Sequence, residues 1–141
     1  MNTQSKKRKV LFLCTGNSVR SQMAEGFLKA LGGERFEVKS AGTAPAGINP
    51  RSIKVMKEVG IDISSQSSDR LDLQMLDNAD LLITLCGDAR DNCPIVAPGV
   101  EKRHWPLEDP SYRVGTEEEI MDRFRKTRDL IKKYAEDLIA E

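Results

Sequence analysis

Cys14 and Arg20 are separated by five residues in the run Cys14-Thr15-Gly16-Asn17-Ser18-Val19-Arg20-Ser21. A loop of that length can curl so that successive backbone N–H groups converge on one point, forming an anion nest at the start of a helix. Gly16 supplies freedom where a side chain would obstruct the curl. Arg20 offers a planar fork matched to two oxygens of a tetrahedral oxyanion. The same positive field favours the thiolate of Cys14, the form in which cysteine is a nucleophile, and Ser21 is placed to donate a hydrogen bond to it. The chemistry implied is nucleophilic attack on an oxyanion held by Thr15, Gly16, Asn17, Ser18, Val19, Arg20 and Ser21. A buried, inert cysteine at a strand end is the plainer reading of Cys14 alone. The glycine and arginine at this spacing, with a strand before and a helix after, favour the nucleophile.

The remaining cysteines are Cys86 and Cys93, making three in all. An odd number does not make a purely structural disulfide framework. The six residues between Cys86 and Cys93 exceed usual zinc-ligand spacing, and His104 is the only histidine, so a site of three cysteines and one histidine is a weaker reading than reactive thiols.

These residues need elements to position them. Val10-Leu11-Phe12-Leu13-Cys14 reads as a short buried strand. A helix follows from Ser21, with Met23, Ala24, Phe27, Leu28 and Leu31 on one face and Gly32-Gly33 as its end. Phe36 to Ser40 alternates like a strand. Asn49 caps a helix with Pro50 first, Ile53, Met56 and Val59 inward, and Gly60 as its stop. A helical turn is expected around Leu71 to Leu76, a second buried strand over Leu81 to Leu85, irregular chain from 87 to 101, and a fourth strand over Arg103 to Leu107. The last helix starts at a capping box of Thr116 and Glu119. Its inward stripe is Ile120, Phe124, Thr127, Ile131, Tyr134 and Leu138, which reads as core packing.

Strands alternating with helices imply an α/β fold: a single domain over residues 1–141, a parallel sheet with helices on both faces, and a flexible tail over residues 1–8. Ligands in such sheets bind at the carboxyl ends of the strands. Cys14 and Cys86 each follow such an end, and Asp109 lies just past the end of the fourth strand, with Pro110 holding it extended. The 141 residues suffice for one core, and charged residues at 31% against apolar ones at 39% are ordinary for a globular chain. Lys plus Arg equal Asp plus Glu at 22 each, which gives no electrostatic case for nucleic acid or an acidic membrane. The apolar stretch behind the basic N-terminus is too short for a signal peptide. The expectation is a cytoplasmic monomer, in a compartment that keeps thiols reduced.

The loop Cys14 to Ser21, continued by Gln22-Met23-Ala24-Glu25, resembles that of the low-molecular-weight tyrosine phosphatase fold, and more closely the thioredoxin-coupled arsenate reductases built on it. The likeness includes Ser40-Ala41-Gly42, Gly60-Ile61-Asp62-Ile63-Ser64, Thr84-Leu85-Cys86-Gly87-Asp88, Cys93-Pro94, His104-Trp105, Asp109-Pro110 and Gly115-Thr116-Glu117-Glu118-Glu119. The resemblance implies a four-stranded parallel sheet and a relay of three thiols. Cys14 attacks arsenate while Asp109 protonates the departing oxygen. Cys86 then attacks Cys14, expelling arsenite, and Cys93 moves the disulfide to Cys86–Cys93 for thioredoxin to reduce. The resemblance requires no cofactor and implies a potassium site at Asn17, Glu25, Ser40 and Asp69. Val19 departs from the pattern, because relatives often carry another cysteine there. The relay does not need it, and valine removes a dead-end disulfide with Cys14.

Two rival readings share the loop. A tyrosine phosphatase would use Cys14, Arg20 and Asp109 but has no use for Cys86 and Cys93. It would also want aromatic walls that residues 42–52 lack; weak phosphatase activity is expected as a by-product of the shared site. A non-enzymatic metalloid-binding protein would capture trivalent arsenic stoichiometrically with its thiols.

Overall fold

The computed structural model describes residues 7–85 and 98–141. Four strands, β1 (Arg8–Cys14), β2 (Phe36–Gly42), β3 (Leu81–Thr84) and β4 (Glu101–His104), form one sheet. The sheet is parallel throughout, in the order β2-β1-β3-β4. The helices are α1 (Arg20–Gly32), α2 (Pro50–Lys57), α3 (Leu73–Asn78) and α4 (Glu117–Ile139). Every residue from Val10 to Cys14, and every residue of β3, is buried. Successive side chains of a strand point to opposite faces, so unbroken burial means that both faces are covered.

β1 is central. It pairs with β2 on one side and β3 on the other, so strand order reverses between β1 and β3. The crevice at their carboxyl ends is where this class of sheet binds ligands. Cys14, the last residue of β1, lies there, in register with Gly42.

Several expectations shift. Arg8 is not tail: it pairs with Phe36 and reaches Glu101 with its guanidinium. The fourth strand runs over Glu101–His104 rather than Arg103 to Leu107. Trp105 still donates to the Thr84 carbonyl, but Pro106 has no N–H and ends the ladder. β2 extends to Gly42, α1 begins at Arg20, and β3 ends at Thr84. The turn expected near Leu71 is α3, capped by Asp72, whose side chain accepts from the Met75 N–H. Leu31 and Val59 are 45% and 39% exposed. At the end of α1 it is Gly32 that faces the core, so close to Phe36 and Ile139 that a Cβ there would meet both. Val59 lies beyond the last turn of α2, next to Gly60 at φ 82°.

On α4 the capping box forms as expected. Ile120, Phe124, Ile131 and Leu138 face inward, joined by Met121, Arg128 and Ala135, while Thr127 and Tyr134 are only partly covered. On α2, Ser52, Val55 and Met56 are buried and Ile53 is half-buried. Trp105 packs tilted against Phe12, with ring centres 5.3 Å apart, and stacks on Tyr134 at 5.1 Å. It thereby ties β4, β1 and α4 together.

Candidate active site

The loop from Thr15 to Val19 joins β1 to α1, and its carbonyls are engaged from outside. Ala44 N donates to the Thr15 carbonyl, Ala46 N to Gly16 and Asn49 N to Ser18, at 2.9, 2.9 and 3.1 Å. The Asn17 carbonyl accepts from Gln22 Nε2 at 3.0 Å and from Ser68 Oγ at 2.9 Å. In a planar trans peptide the N–H points opposite to the carbonyl. The N–H groups of Gly16, Asn17, Ser18 and Val19 therefore point away from these partners, as an anion nest requires. The N-cap of α1 is Val19, whose side chain makes no capping hydrogen bond. The first-turn N–H groups thus keep their capacity for an anion.

Cys14 is 3% exposed. Its Sγ lies 2.9 Å from Ser21 Oγ, which in turn lies 2.8 Å from Asn17 Oδ1. The serine hydroxyl has one proton and two neighbours that can accept it. With Cys14 protonated, the thiol donates to Ser21 and Ser21 to Asn17. With Cys14 ionised, the hydroxyl turns toward the sulfur, and Asn17 Oδ1 keeps the Gln22 Nε2 donor at 3.1 Å. The serine can thus donate to the sulfur without leaving the Asn17 oxygen bare.

Arg20, at the first turn of α1, donates through Nη1 to the Leu107 carbonyl at 3.1 Å. Its Nε is shielded from solvent and has no hydrogen-bond partner among the described residues. A buried guanidinium N–H left open is costly unless a ligand fills it, and a tetrahedral oxyanion supplies the matching oxygen. Asp109 brings a carboxylate oxygen to 4.0 Å from Arg20 Nη2, with its side chain 52% exposed. Its Oδ1 accepts from Ser111 N at 2.9 Å and Ser111 Oγ at 2.6 Å.

The structure therefore joins Cys14, Ser21 and Asn17 in one hydrogen-bonded chain and sets Asp109 beside Arg20, the residue before Ser21. Cys86 and Cys93 lie outside the described residues. Leu85, which precedes Cys86 in sequence, donates its N–H to the Leu13 carbonyl at 3.0 Å, one residue before Cys14.

The residues assigned to potassium fall into two hydrogen-bonded pairs. Ser40 Oγ donates to Glu25 Oε1 at 2.5 Å, and Asn17 Nδ2 donates to the Asp69 carbonyl at 3.4 Å. The other Glu25 oxygen is held by the Lys29 ammonium, one turn further along α1. Glu25 is 6% exposed, so its charge is met by the protein. Asn17 Oδ1 accepts from Ser21 and Gln22, and Asp69 Oδ2 from Ser67. These are hard oxygens of the kind an alkali cation takes, but both Glu25 oxygens, Asn17 Oδ1 and Asp69 Oδ2 already accept from protein donors, and Ser40 spends its hydroxyl proton on Glu25. The arrangement does not fit a cation.

Sequence reasoning missed the loop's supports. Gln22 donates to Asn17 and to the Ser67 carbonyl, and Gln66 Nε2 donates to Gln22 Oε1 at 2.8 Å. Polar residues in a loop give no signal of such partners. Gly42 had a signal, since it follows a strand that had to end beside the loop. A Cβ there would lie 2.5 Å from the Thr15 carbonyl oxygen.

Residues 9–141 match the family model described as low molecular weight phosphotyrosine protein phosphatase. An arsenate reductase of Bacillus subtilis is 53% identical over 131 residues, covering 90% of this chain and 94% of its own length. The solved structure of an arsenate reductase in its oxidised state superposes with a TM-score of 0.80 at 39% identity, covering 94% of this chain and 97% of the other. A thioredoxin-dependent arsenate reductase of Corynebacterium glutamicum superposes at 0.69 with 31% identity, over 95% of this chain and 64% of the other. With an open oxyanion loop at the sheet's switch point and a match across nearly its whole length, the chain belongs to the low molecular weight phosphotyrosine protein phosphatase family.

Proposed function

We propose that this protein reduces arsenate to arsenite with Cys14 as nucleophile and thioredoxin as the final reductant. The observation that carries the reading is the cluster of Cys14, Ser21 and Asn17 beside the unpartnered Nε of Arg20, which suits a tetrahedral oxyanion and a thiolate together. The likeness to proteins named arsenate reductases supports arsenic over a phosphate ester as substrate. The Corynebacterium relative supports thioredoxin as partner.

In the first step the Cys14 thiolate forms a bond to arsenic. One arsenic–oxygen bond breaks, and the departing oxygen takes a proton from Asp109 and leaves as water. The arsenic is still pentavalent. The Cys86 thiolate next attacks the Cys14 sulfur, and the electron pair of the sulfur–arsenic bond stays on arsenic. Arsenite leaves trivalent, with a Cys14–Cys86 disulfide behind it. Cys93 attacks Cys86, freeing Cys14, and thioredoxin reduces the Cys86–Cys93 disulfide. The thiols supply both electrons, so no cofactor takes part, and Lys29 provides the counter-charge at Glu25 that a bound cation would supply. Because the first step also suits a phosphate monoester, slow hydrolysis of a small aryl phosphate accompanies the main reaction.

The test is NADPH oxidation in the presence of arsenate, thioredoxin and thioredoxin reductase. Arsenate-dependent turnover that needs thioredoxin is expected. Efficient phosphate ester hydrolysis with no arsenate-dependent NADPH oxidation would reject the reading in favour of a phosphatase.

A further inference from the structure

The segment from Trp105 to Thr116 carries Asp109 from β4 to α4. Arg20 Nη1 fixes its start at the Leu107 carbonyl. Among the described residues Asp109 itself is hydrogen-bonded to Ser111, two residues away and part of the same turn. Its one longer-range polar contact among them is the 4.0 Å pair with Arg20 Nη2, made by an exposed carboxylate, and an exposed pair holds a side chain weakly. Pro110, the following residue, is buried, and the next residue with polar anchors is Tyr112. Its carbonyl accepts from Arg123 Nη2 of α4 at 2.6 Å, and the Arg123 guanidinium carbon lies 3.9 Å from the centre of its ring. Stacking of this kind contributes at exposed sites, and the Tyr112 side chain is exposed while Arg123 comes from the second turn of a long helix. Arg123 makes both contacts with a single residue, and its Nε has no partner among the described residues.

We propose that Arg123 and Tyr112 form a latch that positions Asp109 for proton donation, with Arg123 acting as a positioning residue. The inference rests on Asp109 being the acid of the first step. Only Pro110 and Ser111 separate Asp109 from the Tyr112 anchor, three Cα steps that span about 10 Å at full extension. Freeing Tyr112 leaves the chain from the buried Pro110 to Thr116, where the capping box takes hold, without a tether. The carboxyl then spends less time within reach of the departing oxygen. Proton donation by a positioned acid is worth roughly 10²–10⁴-fold, and misplacement by about 1 Å can forfeit 10² of that. The oxyanion loop does not depend on this latch, so binding and proton transfer should separate.

The experiment is a double-mutant cycle on the full chain with R123M, D109N and the pair together. Arsenate turnover with thioredoxin, phosphate affinity by calorimetry and thermal melting are measured for each. R123M is expected to lower kcat about 10-fold while phosphate affinity stays within about twofold. In the D109N background the same change should cost less than about twofold. R123K, which keeps a cation over the ring and a donor to the carbonyl, should recover part of the rate. A full R123M effect persisting in D109N, or a parallel loss of phosphate affinity, overturns the latch and leaves Arg123 a structural residue. Near wild-type turnover by D109N would instead remove Asp109 as the acid, and the latch with it. Should R123M fail to fold, Y112A tests the ring contact while leaving the carbonyl in place, with the same pattern expected.

Discussion

Gly42 and Asn17 shape the oxyanion loop from opposite sides. Asn17 has φ 43°, the left-handed region, and is the only non-glycine residue there among those described. Asparagine tolerates that conformation better than most side chains, and Gln22, Ser68 and Asp69 hold it in place. Gly42 lets β2 end against the loop. Gly42→Ala should push its methyl group into the Thr15 and Cys14 carbonyls, costing about 1–3 kcal/mol of stability and weakening phosphate binding. A melt and a calorimetric titration check this; unchanged values in both would mean that the loop can shift freely. Arg20→Lys keeps the charge but loses the fork, and should lower kcat by about 10²-fold or more. Turnover and phosphate inhibition at wild-type levels would contradict the role of Arg20. Cys14, Arg20 and Ser21 could be singled out because their types and spacing suit a nucleophile and an oxyanion, whereas Asp109 stood out through the resemblance rather than through its own spacing. Gln22, Gln66 and Ser68 could not, because they have partners 44 to 51 residues away for reasons that only the fold supplies.

Among the elements, α2 and α4 show how charge fixes a helix behind the site. Arg51 makes a two-pronged contact with Glu117, and Glu58 is held by Arg125 and by the largely buried Arg128. α2 follows Asn49, whose N–H holds the Ser18 carbonyl, so these pairs steady one wall of the oxyanion loop. Arg125, then burial opposed by Arg128, leaves the Glu58 carboxyl below its ordinary 4.5, and Arg51 does the same for Glu117. A carboxyl lowered in the folded state contributes stability above its unfolded value that is lost as pH falls through its folded value. Melting temperature should therefore decline below about pH 4.5, and Glu58→Gln should flatten part of that decline. An equally steep acid limb in the variant would locate the sensitivity elsewhere. These carboxylates are solvent-exposed, so the effect of each is small. The helices themselves were legible from Pro50, Gly60 and the Thr116 capping box. The end of β4 was misplaced because the apolar run through Trp105 and Leu107 outweighed Pro106, which cannot donate to a ladder.

At the scale of the molecule, the order β2-β1-β3-β4 puts the ends of β1 and β3 side by side. Strand alternation in the sequence implied a parallel sheet, but the neighbours of β1 are set by long-range packing and needed the structure. This adjacency is the ground for predicting where relay variants stall. Cys93→Ser should release one arsenite and accumulate a Cys14–Cys86 disulfide, whereas Cys86→Ser should release none by this route. Both should retain slow aryl phosphate hydrolysis. Alkylation and peptide mapping after a single turnover distinguish them, and free Cys86 and Cys93 in the wild type would refute the relay.

The stack of Trp105 between Phe12 and Tyr134 has an optical consequence. It is the only tryptophan in the chain, one of the two tyrosines lies against it, and the indole is 6% exposed. Its emission should be blue-shifted in the native state, with Tyr134 passing its excitation energy to it, and unfolding should shift the band red and restore tyrosine emission. Trp105 sits two residues before Leu107, whose carbonyl holds Arg20. An oxyanion that draws Arg20 toward the loop should alter the indole's surroundings. A phosphate titration followed at the tryptophan band would then report site occupancy without any added label.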